Sequence, residues 1–273
     1  MKIKEAVLWG KEALLEVCER PQFEAELLLA YAIEQSRTYL ITHENEVLLK
    51  PERYRELIQR RAKHEPYEYI VGRASFYDID LAVESGVLIP RPETELLIDK
   101  VAEIIAKEKI TQIAEIGVGS GAISIVLARK FPTLKSIATD ISHTALRVAK
   151  SNIEQFKLEN QIELRASHLI DEVEESVALV VSNPPYIAED FSLEPNVVEY
   201  EPKEALFGGR VGDELLKEII CDVKARGIRW LACEMGYNQK MPILAFVNEI
   251  GVKSIDFYKD LAGFDRGFVI AFS

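Results

Sequence analysis

The chain has 273 residues, 48% of them hydrophobic and 29% charged, and a formal net charge of −12. That apolar content excludes a disordered chain and allows one large domain, or a medium domain joined to a small one. So acidic a body is a poor general binder of phosphate backbone, which lowers the case for nucleic acid without removing it.

Residues 1–75 carry 12 basic against 13 acidic side chains, so nearly all of the acid excess lies beyond them. Charges run through the N-terminal segment and no long apolar stretch follows. We therefore expect no secretion signal, no membrane span and a cytoplasmic location. Cys18, Cys221 and Cys233 lack metal-ligand spacing. They read as inert thiols of a reducing compartment, and no metal is expected.

Leu8, Leu14, Leu15 and Cys18 recur at helical spacing. Pro21 breaks that pattern and opens a second helix bearing Phe23, Leu27, Leu28 and Tyr31. Pro51 opens a third over residues 51–63. The result is a small helical unit over residues 1–75, with residues 76–273 as the second unit. Counting Lys50, the 51–63 helix gathers six basic residues against Glu52 and Glu56. It is either a solvated face or a docking face for a partner macromolecule.

Residues 74–89 alternate and are rich in aromatic and β-branched side chains. They predict a hairpin connector turning near Asp78–Asp80 or at Ser85–Gly86. From about residue 91, strands alternate with helices. Strands are expected at 113–117, 136–140, 162–167, 177–183 and 228–236, and helices at 122–131 and 141–156. This order implies an α/β, Rossmann-like, mainly parallel sheet covered on both faces.

Glu115, Gly117, Gly119 and Gly121 lie between an expected strand and helix, where glycines let the backbone turn and approach a ligand closely. Asp140 ends the next strand, placed to accept hydrogen bonds from both ribose hydroxyls of an adenosine. Two cofactors compete for such a loop. Gly117, Gly119 and Ala122 fit a permissive dinucleotide fingerprint, whereas Glu115 and the third glycine suit S-adenosylmethionine.

Ser182-Asn183-Pro184-Pro185-Tyr186 then follows a buried apolar strand, at the end where such sheets hold ligands. Two prolines remove two N–H donors and fix two φ angles, leaving a stiff loop of acceptors. Asn183 offers its side-chain oxygen, Pro184 its carbonyl, and Tyr186 a ring face. The lone pair of an amide NH2 is delocalised into its carbonyl, the conjugation behind the roughly 18–20 kcal/mol barrier to peptide rotation. Two acceptors on the two N–H bonds can orient that nitrogen and take up positive charge as it attacks. No strong base is required, and no His–Asp or Cys–His pair stands near. This constellation favours S-adenosylmethionine and methyl transfer to a planar amide nitrogen. A dehydrogenase would need hydride-transfer residues, and a non-catalytic docking protein would not need the intact motif.

At these residues the chain resembles the HemK/PrmC family of release-factor glutamine methyltransferases. The likeness covers nearly the whole chain. It includes Tyr69–Gly72, Val87–Glu95 (the most specific segment), Glu201–Gly209, Glu234–Gly236 with Gln239, and Asp260–Gly267. The Asn183–Tyr186 motif alone is shared with methyltransferases acting on nucleic-acid bases and on ribosomal-protein glutamine, which stand as the alternative targets.

The resemblance implies a helical domain that helps recognise class 1 release factors, a seven-stranded sheet with one antiparallel strand, and N5-methylation of a glutamine in a Gly-Gly-Gln loop. It implies no membrane partner and no stable nucleic-acid partner. It assigns Asn183, Pro184, Pro185 and Tyr186 to catalysis. Glu115, Gly117, Val118, Gly119, Ser120 and Gly121 would surround the methionine part of the cofactor. Asp140 with Ile141 would take the ribose, His168 would flank the adenine, and Asn183 would meet both cofactor and substrate. Two departures stand out: His168 occupies a place where the family often has Trp, and Glu115 replaces the more frequent Asp. Arg91 and Glu93 read either as an acid-rich helix start or as lining of the site entrance.

Overall fold

The computed structural model describes residues Met1–Ser273. In chain order the elements are α1 (Ile3–Ala13), α2 (Pro21–Ala32), α3 (Arg37–Thr42), α4 (Pro51–Arg61), α5 (Tyr67–Val71), β1 (Arg73–Phe76), β2 (Ile79–Ala82) and α6 (Thr94–Glu108). Next come β3 (Gln112–Ile116), α7 (Ala122–Lys130), β4 (Lys135–Asp140), α8 (His143–Phe156), β5 (Ile162–Ala166), β6 (Leu179–Ser182) and β7 (Ile187–Ala188). The chain ends with α9 (Pro195–Val198), β8 (Phe207–Gly209), α10 (Glu214–Ala225), β9 (Trp230–Glu234), α11 (Lys240–Ile250), β10 (Ser254–Lys259) and β11 (Asp265–Ala271). No helix is long and apolar enough to cross a membrane.

The chain divides into two compact units, one of Met1–Arg73 with Glu194–Tyr200, the other of Ala74–Leu193 with Glu201–Ser273. The excursion at residues 194–200 carries no local sequence signal, because membership of a unit there is decided by long-range contact.

The first unit is helical around Leu14, Leu28, Leu29, Tyr54 and Ile58, all fully or nearly fully buried. Pro21 and Pro51 open α2 and α4 at the first helical position, where a missing N–H costs nothing. The basic helix is less free than its sequence suggests. Arg61 pairs with Glu24 at 2.6 Å, Arg60 with Glu65 at 2.5 Å, and Arg53 with Glu34 at 3.1 Å. Arg61 is buried, so it belongs to the core of the unit and offers nothing to a partner. α5 ends at Gly72, whose φ of 74° terminates the helix as only glycine does cheaply.

In the second unit seven strands form one sheet in the order β10-β11-β9-β6-β3-β4-β5. Pairing is parallel from β5 through β9, and β11 alone runs opposite to the other six strands. β3 and β6 are buried along almost their whole length, the pattern of strands covered on both faces. α6, α7 and α8 supply one covering layer through Leu97, Ile98, Val101, Ile125 and Ile153. α10 and α11 supply the other through Leu216, Ile219, Val223, Ile243 and Val247.

β1 and β2 form the expected hairpin, but each strand is only four residues long. The turn falls at Tyr77–Asp78, one step earlier than the Asp78–Asp80 expectation, and Ser85–Gly86 makes a separate bend. Tyr77 adopts φ 57° there, held by its N–H to Glu95 at 2.8 Å and its hydroxyl to Asp99 at 2.5 Å. Those long-range bonds hold a bulky residue at a turn position that local propensity would not assign to it. The chain leaves β3 outward through β4 and β5, then returns to β6 on the other side of β3. This reversal opens a crevice at the carboxyl ends of β3 and β6, where sheets of this kind hold ligands.

Candidate active site

The loop after β3 is anchored from beneath. The N–H groups of Gly117 and Val118 both donate to the Thr139 carbonyl at 2.9 Å, and Gly121 closes a turn onto the Val118 carbonyl at 2.7 Å. Gly117, Gly119 and Gly121 take φ of 74°, 54° and 88°, a region open to glycine and strained for other residues. A Cβ built on Gly119 would meet nothing within 4 Å, and one on Gly117 would meet only the Asn183 carbonyl, at 4.0 Å. The loop therefore presents bare backbone to open space, and that space borders the Asn183 segment. Val118 and Ser120 are buried.

Asp140 ends β4 with its carboxylate on this loop. One oxygen accepts the Gly119 N–H at 3.0 Å and the other the Ser142 N–H at 2.8 Å. Burial pushes its carboxyl above the usual range, against the pull of those backbone donors. The carboxylate still has acceptor capacity to offer a diol. Ile141 beside it is largely exposed, an apolar surface at a strand end. His168 follows directly on Ser167, whose N–H donates to the Asp140 carbonyl at 3.1 Å. Its ring is half-exposed, with Asp171 and Glu218 each 3.8 Å away.

Glu115 is buried under the loop. Its Oε2 accepts the Ser124 N–H at 3.1 Å and the Ser124 hydroxyl, tying β3 to the first turn of α7, while its Oε1 has no partner. Burial pushes its carboxyl up to about 8. Between the ordinary glutamate value near 4.3 and that value, the folded state holds a proton the unfolded chain has lost. Stability from this group is present at low pH and is lost as pH rises through about 8. Glu115→Gln should therefore melt closer to, or above, the wild type as pH is raised from 5 to 9. Thermal melts across that range check it, and a constant gap would rule the titration out.

The hairpin reaches the same loop through Asn152. This fully buried side chain exchanges bonds with the Ala82 backbone at 2.8 and 3.0 Å and donates to the Ser120 carbonyl at 2.8 Å. Nothing in its helical spacing singled it out.

Asn183 leaves the end of β6, whose last residue, Ser182, bonds the Ile116 carbonyl at 2.9 Å. Its side-chain NH2 donates to Thr94 Oγ1 at 2.9 Å, and Thr94 Oγ1 donates to Glu234 Oε2 at 2.7 Å. The other Glu234 oxygen accepts the Tyr186 hydroxyl at 2.9 Å. The main chain of Tyr186 is held too. Its carbonyl accepts from Gln239, whose own side-chain oxygen accepts the Gly236 N–H, both at 2.8 Å. Burial lifts the Glu234 carboxyl to about 7 and the Tyr186 hydroxyl well above its ordinary value. No group of the chain donates to Asn183 Oδ1 or to the Pro184 carbonyl, so both acceptors are unspent.

Thr94 and Glu234 received no role from the sequence, although both lie in segments that carried the family resemblance. Beyond that resemblance, the signal for Glu234 is its position at the end of β9, where register sets Cys233 beside Ser182. Thr94 begins α6, so the segment before it is a helix start and also delivers a hydroxyl to the site. Arg91 is spent on Glu201 at 2.5 Å, whose second oxygen accepts the Ile89 N–H at 3.1 Å. Glu93 lies 3.8 Å from Arg266, which Asp260 also binds at 2.7 Å.

Open glycine backbone, a carboxylate with acceptor capacity left for a diol, an exposed apolar neighbour and an unpartnered buried acceptor together fit S-adenosylmethionine.

Comparison with known proteins agrees with this geometry. Residues 5–72 match the PrmC N-terminal domain model, and residues 92–200 the methyltransferase small domain model. The release factor glutamine methyltransferase of Dictyoglomus turgidum is 36% identical over 274 residues, 97% of this chain and 96% of that one. That of Koribacter versatilis is 39% identical over 233 residues, covering 82% of each. Among solved structures, the METTL16 catalytic domain in complex with an RNA hairpin aligns with a TM-score of 0.59 at 19% identity. That alignment covers 71% of this chain and 75% of that domain, a likeness of fold. With the fold, the glycine loop and the Asn183 segment all in place, the chain belongs to the release factor glutamine methyltransferase family.

Proposed function

We propose that this protein methylates the side-chain amide nitrogen (N5) of the glutamine in the Gly-Gly-Gln motif of class 1 peptide chain release factors. S-adenosylmethionine supplies the methyl group as an electrophile on a sulfonium centre. The observation that carries the reading is the pair of unspent acceptors, Asn183 Oδ1 and the Pro184 carbonyl, on the segment whose Asn183 main-chain carbonyl borders Gly117. A carboxamide NH2 has two N–H bonds to give them, and a planar nitrogen so held keeps one face free.

The chain's own residues do four things in this scheme. The glycine loop with Asp140 and Ile141 binds the cofactor. Asn183 and Pro184 orient the nitrogen, and as positive charge grows there each such acceptor is worth roughly 3–4 kcal/mol. Fixing the nitrogen in place supplies a further contribution, up to roughly 7–11 kcal/mol for ideal alignment. Pro185 stiffens the loop, and Tyr186 offers its ring as a wall for the carboxamide. No residue is required as a strong base, because a methylated amide nitrogen sheds its proton readily. The helical unit, residues 1–73, serves recognition of the release factor.

Incubation of the protein with a class 1 release factor and S-adenosylmethionine, followed by peptide mass spectrometry, is expected to find one added methyl on the Gly-Gly-Gln glutamine. No methyl on that residue, or a methyl on ribosomal protein or nucleic acid under the same conditions, would overturn the reading.

A further inference from the structure

Every donor and acceptor between Asn183 and Glu234 is accounted for, and the order matters. A carboxylate has no proton to give, so ionised Glu234 can only accept. It takes the single hydrogen of Thr94, which leaves Thr94 Oγ1 nothing to offer Asn183 but lone pairs. Asn183 must then turn its NH2 toward Thr94, which leaves its oxygen without a partner in the chain. An amide with its two ends exchanged would offer NH2 to a substrate NH2, two donors meeting.

We propose that Thr94 and Glu234 are positioning residues that set the polarity of the Asn183 carboxamide, and that proton uptake by Glu234 frees the Thr94 hydroxyl, lets Asn183 reverse, and shuts off methyl transfer. This rests on the reading of Asn183 as the acceptor for a substrate amide.

The surroundings of Glu234 make that uptake accessible near neutrality. Burial and Glu93, at the start of α6, raise its carboxyl toward about 7. The bonds from Thr94 and Tyr186 and the charge of Arg266 on β11 oppose them. Tyr258 on β10 also faces this cluster, and burial pushes its hydroxyl well above neutrality, so it stays uncharged. Glu115 titrates in a similar range but lies under the glycine loop, bonded to Ser124. Comparing variants separates the two groups.

The experiment is steady-state methylation of a release factor by the full chain from pH 5.5 to 9, with S-adenosylhomocysteine binding followed by calorimetry. Thr94→Val keeps the shape and removes the hydroxyl. It is expected to lose about 10- to 100-fold in kcat with S-adenosylhomocysteine affinity little changed, while Thr94→Ser restores most of the rate. Glu234→Gln is expected to run at a lower plateau and to lack the acid limb that the wild type shows near pH 7. Wild-type kcat in Thr94→Val, equal losses in Thr94→Ser and Thr94→Val, or an acid limb unchanged in Glu234→Gln would each overturn the proposal. An inactive wild type would instead overturn the proposed function itself.

Discussion

Asn183→Ala is expected to reduce kcat on a release factor by about 10²- to 10³-fold, the loss of one preorganised hydrogen bond to a developing charge. The expectation follows from the division of labour across the crevice. The proposed cofactor side consists of Gly117, Gly119 and Asp140, held by Thr139, Ser142 and the Gly119 N–H itself. None of those bonds passes through the Asn183 side chain, whose only bond within the chain runs to Thr94. Cofactor affinity should therefore fall far less than turnover. Steady-state kinetics and calorimetry with S-adenosylhomocysteine test both halves. Asn183→Asp makes the sharper contrast, because it keeps an oxygen acceptor but forfeits the donor to Thr94. With ionised Glu234 behind it, the Thr94 hydroxyl would then lie between two carboxylates with one hydrogen to share. That variant should also be poor, and more so at high pH. Near-normal turnover in Asn183→Ala would leave the Pro184 carbonyl as the only acceptor and remove Asn183 from the chemistry.

What the sequence disclosed and what it hid divide along a physical line. The five parallel strands that build the crevice were legible because burial on both faces makes them short apolar runs, as in Leu179–Ser182. The glycine loop and the Asn183 segment were legible because backbone geometry demands particular residues there, glycine at positive φ and proline for stiffness. Bonds made between distant segments were not legible. Thr94 and Asn183 are 89 positions apart, Thr94 and Glu234 140, and Asn152 and Ala82 70. Thr94 reads locally as a residue in the first turn of a helix, and Asn152 as a polar position in an amphipathic one. Only the fold shows that both are buried and paired. The ion pairs of the basic helix were hidden as well, because charge counted along the sequence does not show which acids reach Arg53, Arg60 and Arg61.

The segment from Glu201 to Gly209, with Gly212 beyond it, braces the catalytic loop from behind, and Gly208→Ala tests how rigid that brace is. β8 pairs with β7 directly after Tyr186, through the Ile187 N–H to the Leu206 carbonyl at 3.0 Å and the Glu189 N–H to the Gly209 carbonyl at 3.2 Å. A Cβ at Gly208 would collide with the Pro185 carbonyl oxygen, and would stand 2.6 Å from the Gly212 carbonyl oxygen and 2.9 Å from the Tyr186 Cα. All three are backbone atoms, so no rotamer change relieves the overlap. The backbone of residues 185 and 186 would have to shift. Pro185 is next to Pro184, whose carbonyl is one of the two proposed acceptors, and a displacement near 1 Å at such a group can cost roughly 10²-fold in rate. Overpacking of this kind typically costs about 1–3 kcal/mol in stability. Gly208→Ala should therefore lose about 10²-fold in kcat while remaining folded, with a modest drop in the denaturation midpoint. Cofactor affinity should be nearly unchanged, since the Gly117–Gly121 loop makes no bond to β8. Full activity in a folded Gly208→Ala protein would mean that the loop yields without cost and that its stiffness is not what holds the substrate amide.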